Sequence, residues 1–453
     1  MGRARAFARG NNLLPSLSLL LLFVARSAAL PLPTWGVPPF DAGAPLAGLR
    51  QLPNGTLSVP FFGSAADGDY NHGAMIALGP GLAMLTLSWK NGVGESHEDA
   101  PGQRVRYSQS ADGTTWTPPA VLFPSLNTSA LPVALFAGPF ALLNGRLYAS
   151  ATPAVIAAGD AQGAQFCLWP DGVDPRNAGP PGQRQPVGTL LLRRIEGLGA
   201  LGPLFWAASA VPAGFGPASA AAGILTLGET DAGTQGDVAL LRADLPLLPC
   251  ADPATGGTLK CEAVRGGAQD YEHLPAAARL ANERSHWTIP PGAPFSGTDV
   301  LVYRSHSSAL WASTRAPGTG SWSKVALTGV PNDDSNINAG ALPHGGGVYL
   351  VANAVPHRGR DPLTIAIARD GWTFTEAYWV MTCTQPPFPQ NQSCAARGGG
   401  GASGGPSYPQ ALTVLPPAAA ALQGFYVVAT LNKEDVVVAK FPLASLSAAG
   451  SVG

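Results

Sequence analysis

GVYLVANAVPHRGRDPLTIAIARDGWTF, residues Gly347 to Phe374, carries the pattern that decides the fold. An apolar run over Val348–Ala352 is followed by a polar gap that bears Arg358 and Arg360. A second apolar run over Leu363–Ala368 ends in an Asp-Gly turn closed by Trp372 and Phe374. Apolar runs this short, bounded by Gly, Pro and Asp, read as strands, because a helix needs a longer stretch with a 3.6-residue period. The same order of parts recurs between Leu82 and Trp116, in LAMLTLSWKNGVGESHEDAPGQRVRYSQSADGTTW. A strand pair that recurs along a chain predicts stacked or radial architecture, in which no unit buries its apolar face alone.

Outward from this stretch, six strand pairs are expected. They lie at Leu82–Trp116, Arg146–Trp206 (with Gly188–Ile195 as second strand), Gly223–Asp244, Asp299–Trp322, Gly347–Phe374 and Gly424–Leu443. Short strands with turn signals predict an all-β fold, a six-bladed β-propeller in which each blade is a small antiparallel sheet. One missed pair would make seven blades, and a two-sheet sandwich with an accessory domain is the alternative. The expected organisation is a signal peptide over 1–29, a proline-rich lead-in over 30–58 and the propeller over 59–447. Loop insertions are expected near 158–185 and 385–406, the second holding GGGGASGG.

Bulk composition narrows the function classes. Hydrophobic residues are 46% of 453, enough for a sizeable core, while charged residues are 12% and net charge is −1. A nucleic-acid partner needs a basic stripe, and this balance offers none. Arg3, Arg5 and Arg9 precede an apolar run from Leu13 to Val24, and small residues follow at Ala25–Ala29. That order reads as a cleaved secretory signal, its apolar part being shorter than the roughly 20 residues of a membrane span. A secreted or lumenal location suits the acceptor triplets at Asn54, Asn127 and Asn391. It also suits disulfides between Cys250 and Cys261 and between Cys383 and Cys394, which leave Cys167 over. No Cys/His spacing suggests zinc, so neither metal nor cofactor is expected.

The two Asp-Gly turns, SADGTTW at Ser110–Trp116 and ARDGWTF at Ala368–Phe374, share a physical logic. An Asp carboxylate accepts from the turn's own N–H groups, Gly takes the φ others avoid, and the aromatic packs on the sheet. They resemble the Asp-box, or BNR repeat, of the sialidase superfamily, S-x-D-x-G-x-T-W, with one residue fewer. The resemblance gives Asp112 and Asp370 structural rather than catalytic roles.

The resemblance extends over most of residues 60–445 and implies a site. In that family an Arg cluster binds the substrate carboxylate, a Tyr is the nucleophile, a Glu activates it and an Asp is the acid/base. A sugar acid calls for bidentate guanidinium recognition, and a phenol needs a neighbouring carboxylate to take its proton. Tyr408 in GPSYPQALTVL resembles the nucleophile segment, and Glu283 in NERSHW with Arg304 in TDVLVYRS resembles the Glu-then-Arg arrangement. Arg360 and Arg358 resemble the Arg ahead of an Asp-box strand, with Asn353 lining the same pocket. Asp69 is the candidate acid/base, with Asp67 and the acidic run at Glu95, Glu98 and Asp99 as alternatives. The first blade departs from the family: Asn71 and His72 stand where its first Arg is expected, and Arg104 is a possible substitute. His72 could bind a different sugar or act as acid/base. The implied activity is a secreted, retaining exo-glycosidase that removes a terminal acidic sugar from a glycan. The alternatives are a non-catalytic carbohydrate-binding propeller and a polysaccharide lyase on the same architecture.

Overall fold

Val348, Leu350 and Ala352 alternate with Tyr349 and Val351, and each set is buried in a different core. A strand with both faces buried reads as a continuous apolar run, which is why no polar residue interrupts it. In the computed structural model the described residues are 30–41, 43–93, 100–129, 131–155, 185–186, 190–244, 247–251, 258–262, 284–304, 308–319, 322–323, 325–333, 335–356, 360–386 and 404–448. They are mostly strands with few helices.

Five larger sheets follow one another along the chain. The first pairs Tyr70–Leu78, Leu85–Gly92, Arg104–Ser110 and Ala120–Phe123 in sequence order. The second is built around Arg146–Val155, Leu191–Gly197 and Ala200–Trp206. The third holds Arg284–Thr288, Asp299–Tyr303, Ala309–Arg315 and Ala326–Pro331. The fourth holds Asn338–Ala341, Val348–Ala352, Leu363–Ala368 and Glu376–Met381. The fifth holds Pro406–Val414, Gly424–Leu431 and Asp435–Phe441, and Thr56–Phe61 from near the N-terminus completes its edge. That strand straddles the expected 58/59 boundary. The lead-in also pairs in parallel, Thr34–Trp35 with Thr373–Phe374 as a separate two-stranded sheet and Arg50–Gln51 with Tyr378–Trp379 at the edge of the fourth sheet.

Among the described residues, four pairs of sheets each share an apolar core. Trp287, Val300 and Val302 of the third sheet meet Leu350 and Ala366 of the fourth. Ile365 and Ile367 on the other face meet Phe425, Val427 and Val437 of the fifth. Tyr426, Val428 and Val438 turn the opposite way, onto Leu85, Leu87 and Trp89 of the first sheet. Val105 and Tyr107 then meet Leu147, Ala149 and Leu191 of the second. With each large apolar side chain worth about 1.5–3 kcal/mol on burial, these serial interfaces hold the sheets in order. This serial stack differs from the two-sheet sandwich alternative.

One expected strand pair is corrected. Gly223–Asp244 holds a short 3-10 turn at Leu227–Glu229 and an α-helix at Ala232–Asp244. The Thr226 and Glu229 side chains form a capping box, and Asp231 accepts from the Thr234 N–H at 2.9 Å. Capping residues ahead of an apolar face satisfy the first-turn N–H groups, so the segment turns helical despite its apolar runs. The helix buries Val238 and Asp237 against the second sheet, where Asp237 accepts from Tyr148 at 2.7 Å and Asn144 at 2.8 Å. A further antiparallel pair, Leu247–Ala251 with Thr258–Glu262, follows it. Its register pairs Cys250 with Leu259 and Leu248 with Cys261, so the two cysteines are not directly opposite. Cys383 is fully buried. Cys167 and Cys394 lie outside the described residues, as does the 1–29 segment.

The Asp-boxes work as staples between sheets. Asp112 Oδ1 accepts from the Thr114 and Thr115 N–H groups, both at 2.7 Å, and the Ser110 hydroxyl accepts from the Gly113 N–H at 2.7 Å. Trp116 Nε1 then donates to Ser58 Oγ, and Lys440 Nζ to the Asp112 carbonyl, tying the first sheet to the fifth. Asp370 Oδ1 likewise accepts from Trp372 and Thr373, while Trp287 Nε1 of the third sheet donates to the Gly371 carbonyl. Burial pushes the Asp112 carboxyl up, but the Thr115 and Thr114 N–H groups outweigh it and hold it well below the usual range. A carboxyl lowered on folding supplies stability above its unfolded value of about 3.9, and that stability is lost as pH falls through the folded value. Asp112→Ala is expected to cost about 1–2 kcal/mol at pH 7, with the difference from wild type shrinking towards pH 3. Urea midpoints that coincide at pH 7 would refute the staple.

Candidate active site

Tyr408 sits at a break in strand register. The fifth sheet pairs Ser407 with Thr430 and then Gln410 with Val428, so Tyr408 and Pro409 together face one residue. Such a bulge re-aims a side chain that the pleat would otherwise send into the core. Tyr408 holds φ at +58°, a conformation that costs a non-glycine residue about 1–3 kcal/mol. The result is a half-buried phenol at the end of the sheet.

Side chains from three other sheets meet it. Arg304 follows the third-sheet strand Asp299–Tyr303, is 8% exposed, and donates through Nη1 to the phenol oxygen at 2.8 Å. Its guanidinium carbon lies 5.6 Å from the Tyr408 ring centroid. Arg360, from the polar gap in the fourth sheet, is 6% exposed and lies at the same 5.6 Å. The His72 ring of the first sheet approaches edge-on with its centroid 4.0 Å from that of Tyr408. Here too a bulge does the aiming, since the register slips between His72 and Met75 around Gly73 at φ +60°. Lys433, on the hairpin joining the last two strands of the fifth sheet, brings Nζ to 5.8 Å from the same centroid. The ring faces thus meet three cations within cation–π range.

Other residues expected at the site have different partners. Asn353 is 1% exposed, and its amide donates to the backbone carbonyls of Arg360 at 2.6 Å, Pro406 at 3.0 Å and Pro362 at 3.3 Å. It clamps the Arg360 gap to the segment that leads into Tyr408. Asn71 is fully buried; its amide donates to the Glu434 and Gly68 carbonyls, and its Oδ1 accepts from Trp89 and Asn91. Arg104 is turned to the Asn91 side chain at 2.8 Å and to the Asp67 carbonyl at 3.1 Å, pinning the loop ahead of the first sheet. Asp69 is half-buried in that loop, and Asp67 is exposed. Glu283, Arg358, Glu95, Glu98 and Asp99 lie outside the described residues. Lys433 and the buried Glu434 beside it were not among the sequence candidates. The only local signal for them is a short polar turn, Asn432-Lys433-Glu434, between two apolar strands. Among the described residues no group of three His, Cys, Asp or Glu side chains is placed to hold a metal ion.

A phenol gripped by an arginine, with a second arginine over its ring, at the ends of serially stacked antiparallel sheets, defines a class. Residues 293–414, which cover the third sheet after its first strand, the strands of the fourth and the first strand of the fifth, match the BNR repeat-like domain. No curated protein matches the chain in sequence. Among solved structures, one described as a sialidase superposes with TM-score 0.56 at 16% identity, covering 91% of this chain and 35% of its own. The chain therefore spans about a third of that protein's length. NanB sialidase from Streptococcus pneumoniae, as its K499G mutant, gives TM-score 0.47 at 11% identity over 89% of this chain and 72% of its own. The leech intramolecular trans-sialidase, complexed with 2,7-anhydro-Neu5Ac, gives 0.48 at 12% over 87% and 71%. Residues 293–414 thus resemble a BNR repeat-like domain, and the fold of the chain is similar to that of the solved sialidase at low sequence identity.

Proposed function

We infer that this protein is a secreted exo-glycosidase that removes a terminal acidic sugar, sialic acid or a close relative, on a six-bladed propeller. The observation that carries the reading is the 2.8 Å contact from Arg304 to the Tyr408 oxygen, with Arg360 over the same ring. Arg304 and Arg360, with Arg358, bind the sugar carboxylate, for which planar guanidinium groups are suited. Tyr408 attacks the anomeric carbon, and Glu283 takes the phenolic proton. Glu283 directly precedes Arg284, whose ladder partner is Tyr303, the residue before Arg304. Asp69 protonates the departing glycosidic oxygen and then deprotonates the water that releases the sugar, retaining its configuration. No helix among the described residues is long and apolar enough to cross a membrane. Secretion fits the exposed acceptor positions Asn54 and Asn127, and an oxidising compartment would permit the Cys383–Cys394 and Cys250–Cys261 bridges expected from the sequence.

A second reading, a carbohydrate-binding module without catalysis, is favoured by Asn71. Its side chain is committed to four protein partners where the family's first Arg is expected. A panel of 4-methylumbelliferyl glycosides separates the two readings. Release from the α-N-acetylneuraminide, with no release from neutral hexosides, is the expected result. Calorimetric binding of free N-acetylneuraminic acid without turnover of any acidic glycoside would establish the binding module instead.

A further inference from the structure

We propose that Lys433 is a third carboxylate-binding cation of this site, supplied from the fifth sheet in place of the arginine the first sheet lacks. The inference rests on the acidic-sugar reading above and names a residue that the reading does not use.

Placement is the first argument. Lys433 occupies the tip of the hairpin between Gly424–Leu431 and Asp435–Phe441. The Asn71 N–H donates to the Lys433 carbonyl at 2.6 Å, and the Asn71 side chain to the Glu434 carbonyl at 2.6 Å. The hairpin tip is therefore built directly against the position where an arginine is missing. Its ammonium lies 5.8 Å from the Tyr408 ring centroid, against 5.6 Å for the Arg304 and Arg360 guanidinium carbons. Three cations from three sheets thus converge on one phenol.

Conformation is the second argument. Asn432 and Lys433 hold φ at +55° and +57°, the central positions of a mirror-image turn closed by the Glu434 N–H on the Leu431 carbonyl at 2.9 Å. The second position of such a turn favours glycine strongly, and a long side chain there carries strain. The Gly405 N–H donates to Asn432 Oδ1 at 2.7 Å, and the Asn432 N–H to the Gly405 carbonyl at 3.1 Å, which fixes the turn. Arg360 at φ +69° and Tyr408 at φ +58° share the same strained region. The backbone is thus held in the left-handed region at three residues whose side chains meet at one point, and such strain clusters at functional sites. A lysine at the tip adds a compact point charge, which suits a carboxylate already gripped by planar arginines.

The test uses free N-acetylneuraminic acid and its methyl ester, titrated calorimetrically into the full chain. Wild type is expected to bind the acid more tightly than the ester. Lys433→Asn and Lys433→Gly, both compatible with positive φ, should lose about tenfold in affinity for the acid and leave the ester unchanged. Lys433→Arg should keep affinity for the acid within about threefold, because it keeps the charge. Lys433→Gly should melt no lower than wild type, which separates lost recognition from lost folding. Acid binding that is unchanged in both neutral variants would overturn the Lys433 assignment while the acidic-sugar reading stands. A wild type that does not distinguish acid from ester overturns both.

Discussion

Tyr408→Phe is expected to lower kcat on an aryl α-sialoside by about 10³-fold or more, while affinity for the free sugar acid changes by less than about threefold. The substitution removes one oxygen and keeps the ring. His72 keeps its edge-on contact at 4.0 Å, and Arg304 and Arg360 keep the aromatic face they approach. What disappears is the nucleophile and the acceptor of the 2.8 Å bond from Arg304 Nη1. Loss of that bond should cost about 1–2 kcal/mol of stability, which a urea melt can resolve from loss of chemistry. A nucleophile acts only along the reaction coordinate, so its removal reads in kcat rather than in ground-state binding. A variant that turns over within tenfold of wild type would exclude Tyr408 as nucleophile, whatever its neighbours.

The strands were legible for a simple reason. In Val348–Ala352 and Leu363–Ala368 alternate residues face two different cores, so both faces demand apolar side chains and only Thr364, bonded to the Ala352 carbonyl, interrupts the second run. The same reasoning misread Gly223–Asp244, because it weighed apolar runs and passed over Thr226, Glu229 and Asp231. Those three residues cap the turn and the helix through their side chains, and capping was the available signal. At the site, Tyr408, Arg304 and Arg360 stand in local motifs, so a pattern of neighbours along the chain points to them. Asn71 and Asn353 differ in kind. Their amides reach carbonyls across the fold, from Asn71 to Glu434 and from Asn353 to Pro406. A hydrogen bond between residues so far apart leaves no trace in local sequence. Lys433 is hidden for the same reason: a charged hairpin tip looks like solvated surface until the sheet beside it is known.

Asn353 offers the sharpest test of that hidden layer, and its expected order of effects is unusual. The amide donates to three backbone carbonyls, and Asn353 itself is 1% exposed. Its Oδ1 accepts from nothing, so only the donor half of the side chain is engaged. Asn353→Ala should therefore cost about 2–4 kcal/mol, the sum of buried carbonyls left without a partner. Asn353→Asp, nearly the same shape, should cost more at pH 7. It sets an acceptor-only carboxylate against three acceptors in a buried place. Burial and the facing carbonyls favour its protonated form, so the folded state binds the extra proton. Stability of this variant should consequently rise relative to Asn353→Ala as pH falls, opposite in sign to the acid loss expected at Asp112. Both substitutions free the Arg360 carbonyl, so affinity for N-acetylneuraminic acid should fall along with stability although neither touches a charged group. Urea midpoints at pH 7 and pH 5 decide the matter. An Ala variant within about 0.5 kcal/mol of wild type, or an Asp variant more stable than Ala at pH 7, would show that the clamp does not hold the Arg360 gap in place.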